Sequence, residues 1–539
     1  MKAFLLLVLP YALIAQNIDE VPQWSTYEIT LTSTSTYENG YTDVDVWGIF
    51  SNQNGDTLKR PAFWDSGQIW KIRFAPTDAH GDWQWKSFAS DEKDLGLHGQ
   101  SGKFKSVVNA EENALLANGL LKMSKGRRNV VHHSGKSFLV VGDTPWAIPF
   151  RATTAQVEIY AKDRQKKRFN TALMMTLQPD MKAEGPNERN TEQGFKRAFQ
   201  DLSDGHINQI NTDYFQYYDT IIETLLNHGI VPVYQPVFHG YGWKGLQVLG
   251  RTIEPQEYVR YCKYLLARYG SKPAIWLLGG DHNGKDPGVL ESGEMVQEWD
   301  CYEQPTGIHY NPCDDYLATW ADGDSDHCFH ENKVFQDAPW LDFQWAQTGH
   351  DSEHLYHKVE RMYDNLPTKA VANGEPTYEG MNAGKNGLGW WQAEEAWMQL
   401  MHGGTMGVVY GAATLWQWKI SPTEEGWPSW TDQPTSWKEA LDMQGSTYVG
   451  LVAKVLGGLD LADIEKRWDL ANGKPLLAKE GTLYISYLNK GGEIEIQNLP
   501  DTLNYRWMNP KNGEMKQMGK ATSEKFKAPD ENPWVLIIG

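Results

Sequence analysis

The sequence predicts a multidomain protein, a central (β/α)8 TIM barrel flanked by an N-terminal β-sandwich and a small C-terminal β-sandwich. Three observations predict it. Residues 20–108 alternate in the manner of strands, residues 115–457 alternate short apolar runs with amphipathic helical periods, and residues 460–539 return to short strands. Strands that alternate with helices argue for a parallel sheet. The usual barrel takes about 250 residues plus insertions, which the middle segment supplies. At 539 residues the chain is too long for one compact core, and its 40% hydrophobic content is ordinary for a folded protein. No internal repeat or low-complexity linker separates the three parts, so they are expected to pack rigidly.

In chain order, Lys2 precedes the apolar run AFLLLVLPYALIA from Ala3 to Ala15, which is too short to span a bilayer. Residues 1–16 therefore read as a secretory signal peptide cut near Ala15 or Gln16, although Leu13 at the −3 position is less usual than Ala. No Cys stands at the cut to carry a lipid, and no later run approaches transmembrane length. The expected location is periplasmic or extracellular, where disulfides are permitted. Of the four cysteines, Cys301, Cys313 and Cys328 share a loop-rich region with their pairing open, while Cys262, in a helical pattern, reads as a buried thiol. Their spacing is too wide for zinc, and neither a metal nor another cofactor is expected. A net charge of −19 with no large Lys/Arg cluster argues against nucleic acid as a partner. The 24 Trp and 25 Tyr, many beside Gly, Asn and Pro, suit the flat faces of sugars.

The first sandwich rests on YEITLTS, TDVDVWGIFS, IWKIRFAPT and DWQWKSFAS, separated by Gly, Asn and Asp turns. The stretch RPAFWDSGQIWKIRFAPTDAHGDWQWKSFAS, with HGQSGKF after it, resembles the accessory β-domain in front of many secreted bacterial glycoside hydrolases. Trp64, Trp70, Trp83 and Trp85 would either form a carbohydrate platform or pack, and packing is the expectation.

The barrel reading rests on eight strand candidates, at 137–146, 169–178, 230–238, 274–281, 306–312, 341–350, 368–376 and 406–418. Caps mark helices between them, Thr153 and Thr154 before one and Pro255 opening another. The fourth candidate, AIWLLGGDHN, is an apolar run that ends in two glycines and Asp281. The seventh, KAVANGEPTY, ends alike in Asn-Gly and Glu375, pinned by Pro376. Taken alone, Asp281 after Gly-Gly reads as a cap or turn residue. Two strand-end acids on opposite sides of a barrel are what glycosidic cleavage needs, one to protonate the leaving oxygen and one to attack the sugar.

At this point GDTPW after the first strand, LLGGDHN after the fourth, the series HYNP, SDHCFHEN and PWLDFQWAQTGHD, and NGEPTYEG after the seventh resemble the apiosidase-like glycoside hydrolases, family 140 and relatives. The resemblance covers nearly the whole barrel. It implies a secreted retaining glycosidase with Asp281 as acid/base and Glu375 as nucleophile. The loop NPCDDYLATWADGDSDHC is more acidic and less Ser/Gly-rich than the family pattern, so the sugar removed need not be apiose.

The other strand ends carry polar or flat groups suited to a sugar: Asp143, Trp146, Gln178, His239, His309, His350, Trp416 and Trp418, with His282 placed to orient Asp281. Asp143 could equally hold its own loop, and Glu379 reads as a loop charge. The tail (PLLAKEG, TLYISYLN, EIEIQNLP, YRWMNPKNGEM, PWVLIIG) resembles the small β-domain, sometimes labelled collagen-binding, that follows such barrels, and it is expected to serve as a structural prop. The reading is of an exo-acting enzyme that removes a sugar from a plant or algal polysaccharide. Its rivals are an endo-acting glycanase, a metal-dependent hydrolase using His239, Asp281, His282 and His309, and a non-catalytic binding or adhesion protein on a degenerate barrel.

Overall fold

The structure, a computed structural model, describes residues 18–110, 113–179, 181, 197–240, 247–310, 333–350, 354, 356–427 and 433–539. The predicted signal segment, Cys313 and Cys328 lie outside the described residues.

Eight parallel strands close into a barrel: β1 (Val140–Asp143), β2 (Thr171–Met175), β3 (Val231–Gln235), β4 (Ile275–His282), β5 (Thr306–Tyr310), β6 (Phe343–Gln347), β7 (Ala370–Glu375) and β8 (Gly407–Tyr410). Closure comes from β1 beside β8, in register from Val140 opposite Gly407 to Asp143 opposite Tyr410. Seven strands fall inside a predicted run, and β4 runs one residue past the predicted 274–281, to His282. Every strand residue is buried, because side chains fill one face and helices cover the other. That double burial is why the runs read as apolar without alternation.

The covering helices are α1 (Thr154–Lys166), α2 (Thr212–Asn227), α3 (Pro255–Tyr269), α4 (Val289–Trp299), α5 (Tyr356–Tyr363), α6 (Trp390–Met401) and α7 (Gln444–Leu456). At the start of α1 the Thr153 hydroxyl accepts from Gln156 N at 3.2 Å, and Gln156 Oε1 accepts from Thr153 N at 3.1 Å, a reciprocal cap. Pro255 opens α3, where its missing N–H would have had no helical partner.

Ahead of the barrel, Leu121–Met123, Val130–His132 and Ser137–Phe138 form a three-stranded antiparallel sheet. The sequence reading ran Ser137 and Phe138 into the first barrel strand. They belong instead to this sheet, paired with Val131 and Val130.

The N-terminal strands fold into two layers because Thr57–Ser66 changes partners along its length. Its first half pairs with Val46–Asn52 and its second half with Ile69–Phe74. Rings from the two layers meet between them, Phe50 on Phe74 at 4.0 Å and Trp83 on Phe74 at 5.0 Å. Trp70 and Trp83 are 2% and 1% exposed, so they pack, while Trp64 and Trp85 are half-buried. Buried arginines tie this sandwich to the barrel: Arg73 donates to Arg268 O at 2.7 Å and to Asp219 at 2.9 Å, and Arg268 donates to Asp65 at 2.9 Å. The C-terminal part is a six-stranded antiparallel sheet with a two-stranded sheet against it, bridged by Tyr505 on Phe526 at 5.2 Å.

Cys262 and Cys301 are free thiols, which takes Cys301 out of the pairing left open above. Among the described residues no helix is long and apolar enough to cross a membrane.

Candidate active site

At the carboxyl end of β4 the ladder to β5 slips between Gly280, opposite His309, and His282, opposite Tyr310. Asp281 therefore stands out of the ladder, with a left-handed φ of 56° that a non-glycine residue rarely adopts. Two glycines allow close packing around it, Gly280 against Gln235 and Gly240 against Asp281 itself. A Cβ on Gly280 would fall 1.8 Å from Gln235 Nε2, and one on Gly240 would fall 2.4 Å from Asp281 Oδ2. At the end of β7 a second slip sets Glu375 opposite Gln347.

Both acids open into one narrow cavity at the carboxyl end of the barrel. Its described lining adds Trp146, Met175, Phe238, His350, Tyr378 and Trp416. A larger cleft of about 630 Å3 runs past Ser137, Phe138, Leu139 and Asn170 at the amino ends of β1 and β2, the face that barrels use for stability rather than chemistry.

The two carboxyls differ in electrostatics. Burial, and then the negative charge of Glu375, hold Asp281 well above the usual carboxylate range, against weaker opposition from Arg251 and a hydrogen bond from Gln347. Asp281 Oδ1 has no protein partner among the described residues. Burial also pushes Glu375 up, but a hydrogen bond from His350, the adjacent imidazoles of His309 and His350, and a hydrogen bond from Tyr378 outweigh it and hold Glu375 below its ordinary value. His350 Nε2 lies 3.5 Å from Glu375 Oε1 and His309 Nε2 lies 3.3 Å from Glu375 Oε2. The His350 proton is placed by its neighbour: Nδ1 accepts from Tyr378 N–H at 3.4 Å, which leaves N–H on Nε2, facing Glu375. Trp146 Nε1 donates to the Tyr378 hydroxyl at 2.7 Å and stacks on His309 at 5.7 Å. Since that hydroxyl accepts from Trp146, its own proton is available to Glu375.

Of the residues singled out in the sequence, Asp281, Glu375, Trp146, His350 and Trp416 line the cavity, and His309 stands directly behind Glu375. Five others do not line it. Asp143 is fully buried and accepts from Tyr160 at 3.0 Å and Arg164 at 2.5 Å, so it anchors the end of β1, the alternative left open for it. Gln178 accepts from Ala198 N at 3.2 Å, and His239 accepts from Gly280 N at 3.3 Å. His282 pairs with Asp286 at 2.6 Å rather than with the acid beside it. Trp418 donates to Gln156 at 3.0 Å and stacks on Trp437 at 4.5 Å. Glu379 is no loop charge: it is 3% exposed and accepts from Tyr410 OH, Gly389 N and Gly445 N at 2.7, 2.7 and 2.9 Å.

Sequence reasoning missed Tyr378, Gln347, Met175 and Phe238. Tyr378 stands three places past Glu375 within the quoted NGEPTYEG, and Gln347 lies within LDFQWAQTGH, so both were visible as polar strand-end residues. A neutral acid and an ionised carboxylate that share one ring-walled cavity form an arrangement able to protonate one atom of a ligand while a negative charge faces another.

Residues 124–463 match the apiosidase-like catalytic domain, and residues 20–90 match a domain of unknown function, DUF5060. A comparison with curated proteins finds no match. Among solved structures, a glycoside hydrolase superposes with a TM-score of 0.62 at 21% identity, covering 78% of this chain and 97% of its own. A glycoside hydrolase family 5 protein from Bacteroides vulgatus gives 0.62 at 20% identity, covering 78% and 93%. A second Bacteroides vulgatus protein gives 0.69 at 15% identity and covers 96% of this chain and 99% of its own, sandwiches included. At such identities the structures speak for the fold. Because the catalytic-domain match takes in more than half of the chain, from the sheet ahead of the barrel to the last helix behind it, the chain belongs to the apiosidase-like family and is a glycoside hydrolase.

Proposed function

We propose that this protein is an exported, exo-acting, retaining glycosidase that removes one sugar from a complex plant or algal polysaccharide, with Asp281 as acid/base and Glu375 as nucleophile. The observation that carries the reading is the opposed state of the two acids around one cavity, Asp281 held neutral and Glu375 held ionised. Asp281 gives its proton to the departing glycosidic oxygen while Glu375 attacks the anomeric carbon, so the C–O bond to the leaving group breaks as a glycosyl ester forms. Asp281, now a carboxylate, takes a proton from water, the water attacks the same carbon, and Glu375 departs with its electron pair.

His350 and Tyr378 stabilise Glu375 as a carboxylate in the ground state and as the leaving group of the second step. Trp146 and Trp416 supply ring faces for the sugar. Export rests on the charged and apolar opening of the sequence.

A panel of aryl glycosides and plant and algal oligosaccharides, read by product mass, tests the substrate and the exo mode. The anomer first formed, read by proton NMR, tests retention. Oligosaccharide products longer than one unit would replace exo by endo action, and an inverted first product would remove Glu375 as nucleophile.

A further inference from the structure

Behind Glu375 lies a third acid that the double displacement does not use. Glu395, on α6, is 1% exposed, and among the described residues no arginine, lysine or histidine faces it. Burial without a cation raises its carboxyl well above the usual range, against hydrogen bonds from Thr348, the Thr377 backbone and Gln399, and so favours the neutral acid. Its Oε1 lies 3.2 Å from Gln399 Nε2, one turn along α6, and 3.5 Å from Thr348 Oγ1, just past the end of β6.

Thr348 and Gln399 both lead to Asn373, which is 2% exposed and stands two residues before Glu375 on β7. The amide orientation that satisfies both ends of Asn373 turns Nδ2 to the carbonyls of Glu375, at 3.2 Å, and Ala346, at 3.0 Å. Its Oδ1 then accepts from Thr348 Oγ1 at 2.9 Å and Gln399 Nε2 at 2.7 Å, while Gln399 Oε1, which has no proton to give, stands 2.8 Å away, so the Thr348 proton is the donor that this oxygen can least lose. Thr348 has a single hydroxyl proton, and Asn373 takes it. Only lone pairs remain on Thr348 Oγ1 to meet Glu395, so that contact needs a proton from Glu395. An ionised Glu395 would draw the Thr348 proton to itself and leave Asn373 Oδ1 one donor short.

We infer that Glu395 is a positioning residue for the reaction: as a neutral acid it orients Thr348 and Asn373, whose amide holds the backbone carbonyl of Glu375 and so the aim of the nucleophile. The inference rests on Glu375 being that nucleophile. It separates Glu395 from the acids that touch substrate, and it assigns a directed chain of neutral hydrogen bonds to the last turn of β7.

The test compares three variants on the aryl glycoside the enzyme cleaves best. Glu395→Gln keeps a proton donor at the same place, and its kcat should stay within about threefold of the parent. Glu395→Leu keeps the bulk and removes the donor. Its kcat should fall about 10–100-fold with KM little changed, as when a group that orients a reacting residue is lost. Thr348→Val breaks the same chain one link nearer Glu375 and should lose kcat similarly, so the question stays open to test if the leucine variant does not fold. Parent-like kcat in Glu395→Leu or Thr348→Val overturns the inference, as does a Glu395→Gln loss as large as that of Glu395→Leu. Glu375→Ala assayed with azide keeps the premise separate. A glycosyl azide of inverted anomeric configuration upholds Glu375 as nucleophile whatever the other variants do, and a retained azide or none removes the premise and the inference with it.

Discussion

Replacing Gly240 by alanine tests whether Asp281 is the acid without touching Asp281 itself. The added Cβ would stand 2.4 Å from Asp281 Oδ2, 2.7 Å from Phe238 Cζ and 2.8 Å from the Asp281 carbonyl oxygen. Non-bonded heavy atoms settle at about 3.5–4.0 Å, so the carboxyl must retreat by about 1 Å. A 1 Å misplacement of a reacting group lowers the rate by about 100-fold, equivalent to about 2.7 kcal/mol in the barrier. The assay is kcat/KM, which reports the first step, across aryl glycosides with leaving groups from phenol to dinitrophenol. A phenol departs only with a proton and should show the full loss. Dinitrophenolate departs unaided and should show almost none. An equal loss on both would mean that the substitution disturbs the sugar pocket instead, and no loss on phenol would mean that Asp281 is not the acid.

Asp281→Asn should lower kcat/KM for poor leaving groups by about 100–10,000-fold, the range for losing a positioned proton donor. It should also raise Tm at neutral pH: a carboxyl whose folded pKa is raised gives its full stabilisation only below its unfolded value and loses it as pH rises through the folded one, a loss the amide escapes. The pH profile of kcat/KM should be broad, with an acid limb from Glu375 below the ordinary glutamate value and an alkaline limb from Asp281 well above the ordinary aspartate value. An alkaline limb that persists in Asp281→Asn would contradict this. Tyr378→Phe removes a hydrogen bond to the Glu375 carboxylate, worth about 1.5–3 kcal/mol for a charged acceptor. It should shift the acid limb to higher pH and lower kcat/KM about 10-fold or more, and an unmoved acid limb would deny the phenol that role.

The barrel was legible because its strands are buried on both faces. A strand such as Ala274 to Leu278 must then be apolar throughout, and it stops where the chain reaches the mouth, so the residue that breaks the run, Asp281, declares its own position. The same logic exposed Glu375. It failed at the start of β1, where Phe138 continues into the apolar run Leu139, Val140 and Val141 but pairs, with Ser137, backwards onto Val130 and Val131. Nothing in two residues distinguishes a parallel from an antiparallel partner.

The polar residues around the acids were harder, because a strand end says that a side chain is near the mouth and not which way it faces. His239, His282 and His309 all follow apolar runs. Yet His309 faces Glu375, His239 turns to the backbone of Gly280, and His282 turns away to Asp286 through the slip that lifts Asp281 out of the ladder. One residue of slip reverses the face of every side chain beyond it. The left-handed φ of Asp281 accompanies that slip, so the feature that hid His282 from the sequence reading is also the one that aims Asp281 into the cavity. A variant that restored regular pairing after Gly280 would set Asp281 opposite Tyr310, the ladder position His282 now holds, and the proposed acid would leave the cavity while every strand stayed in place.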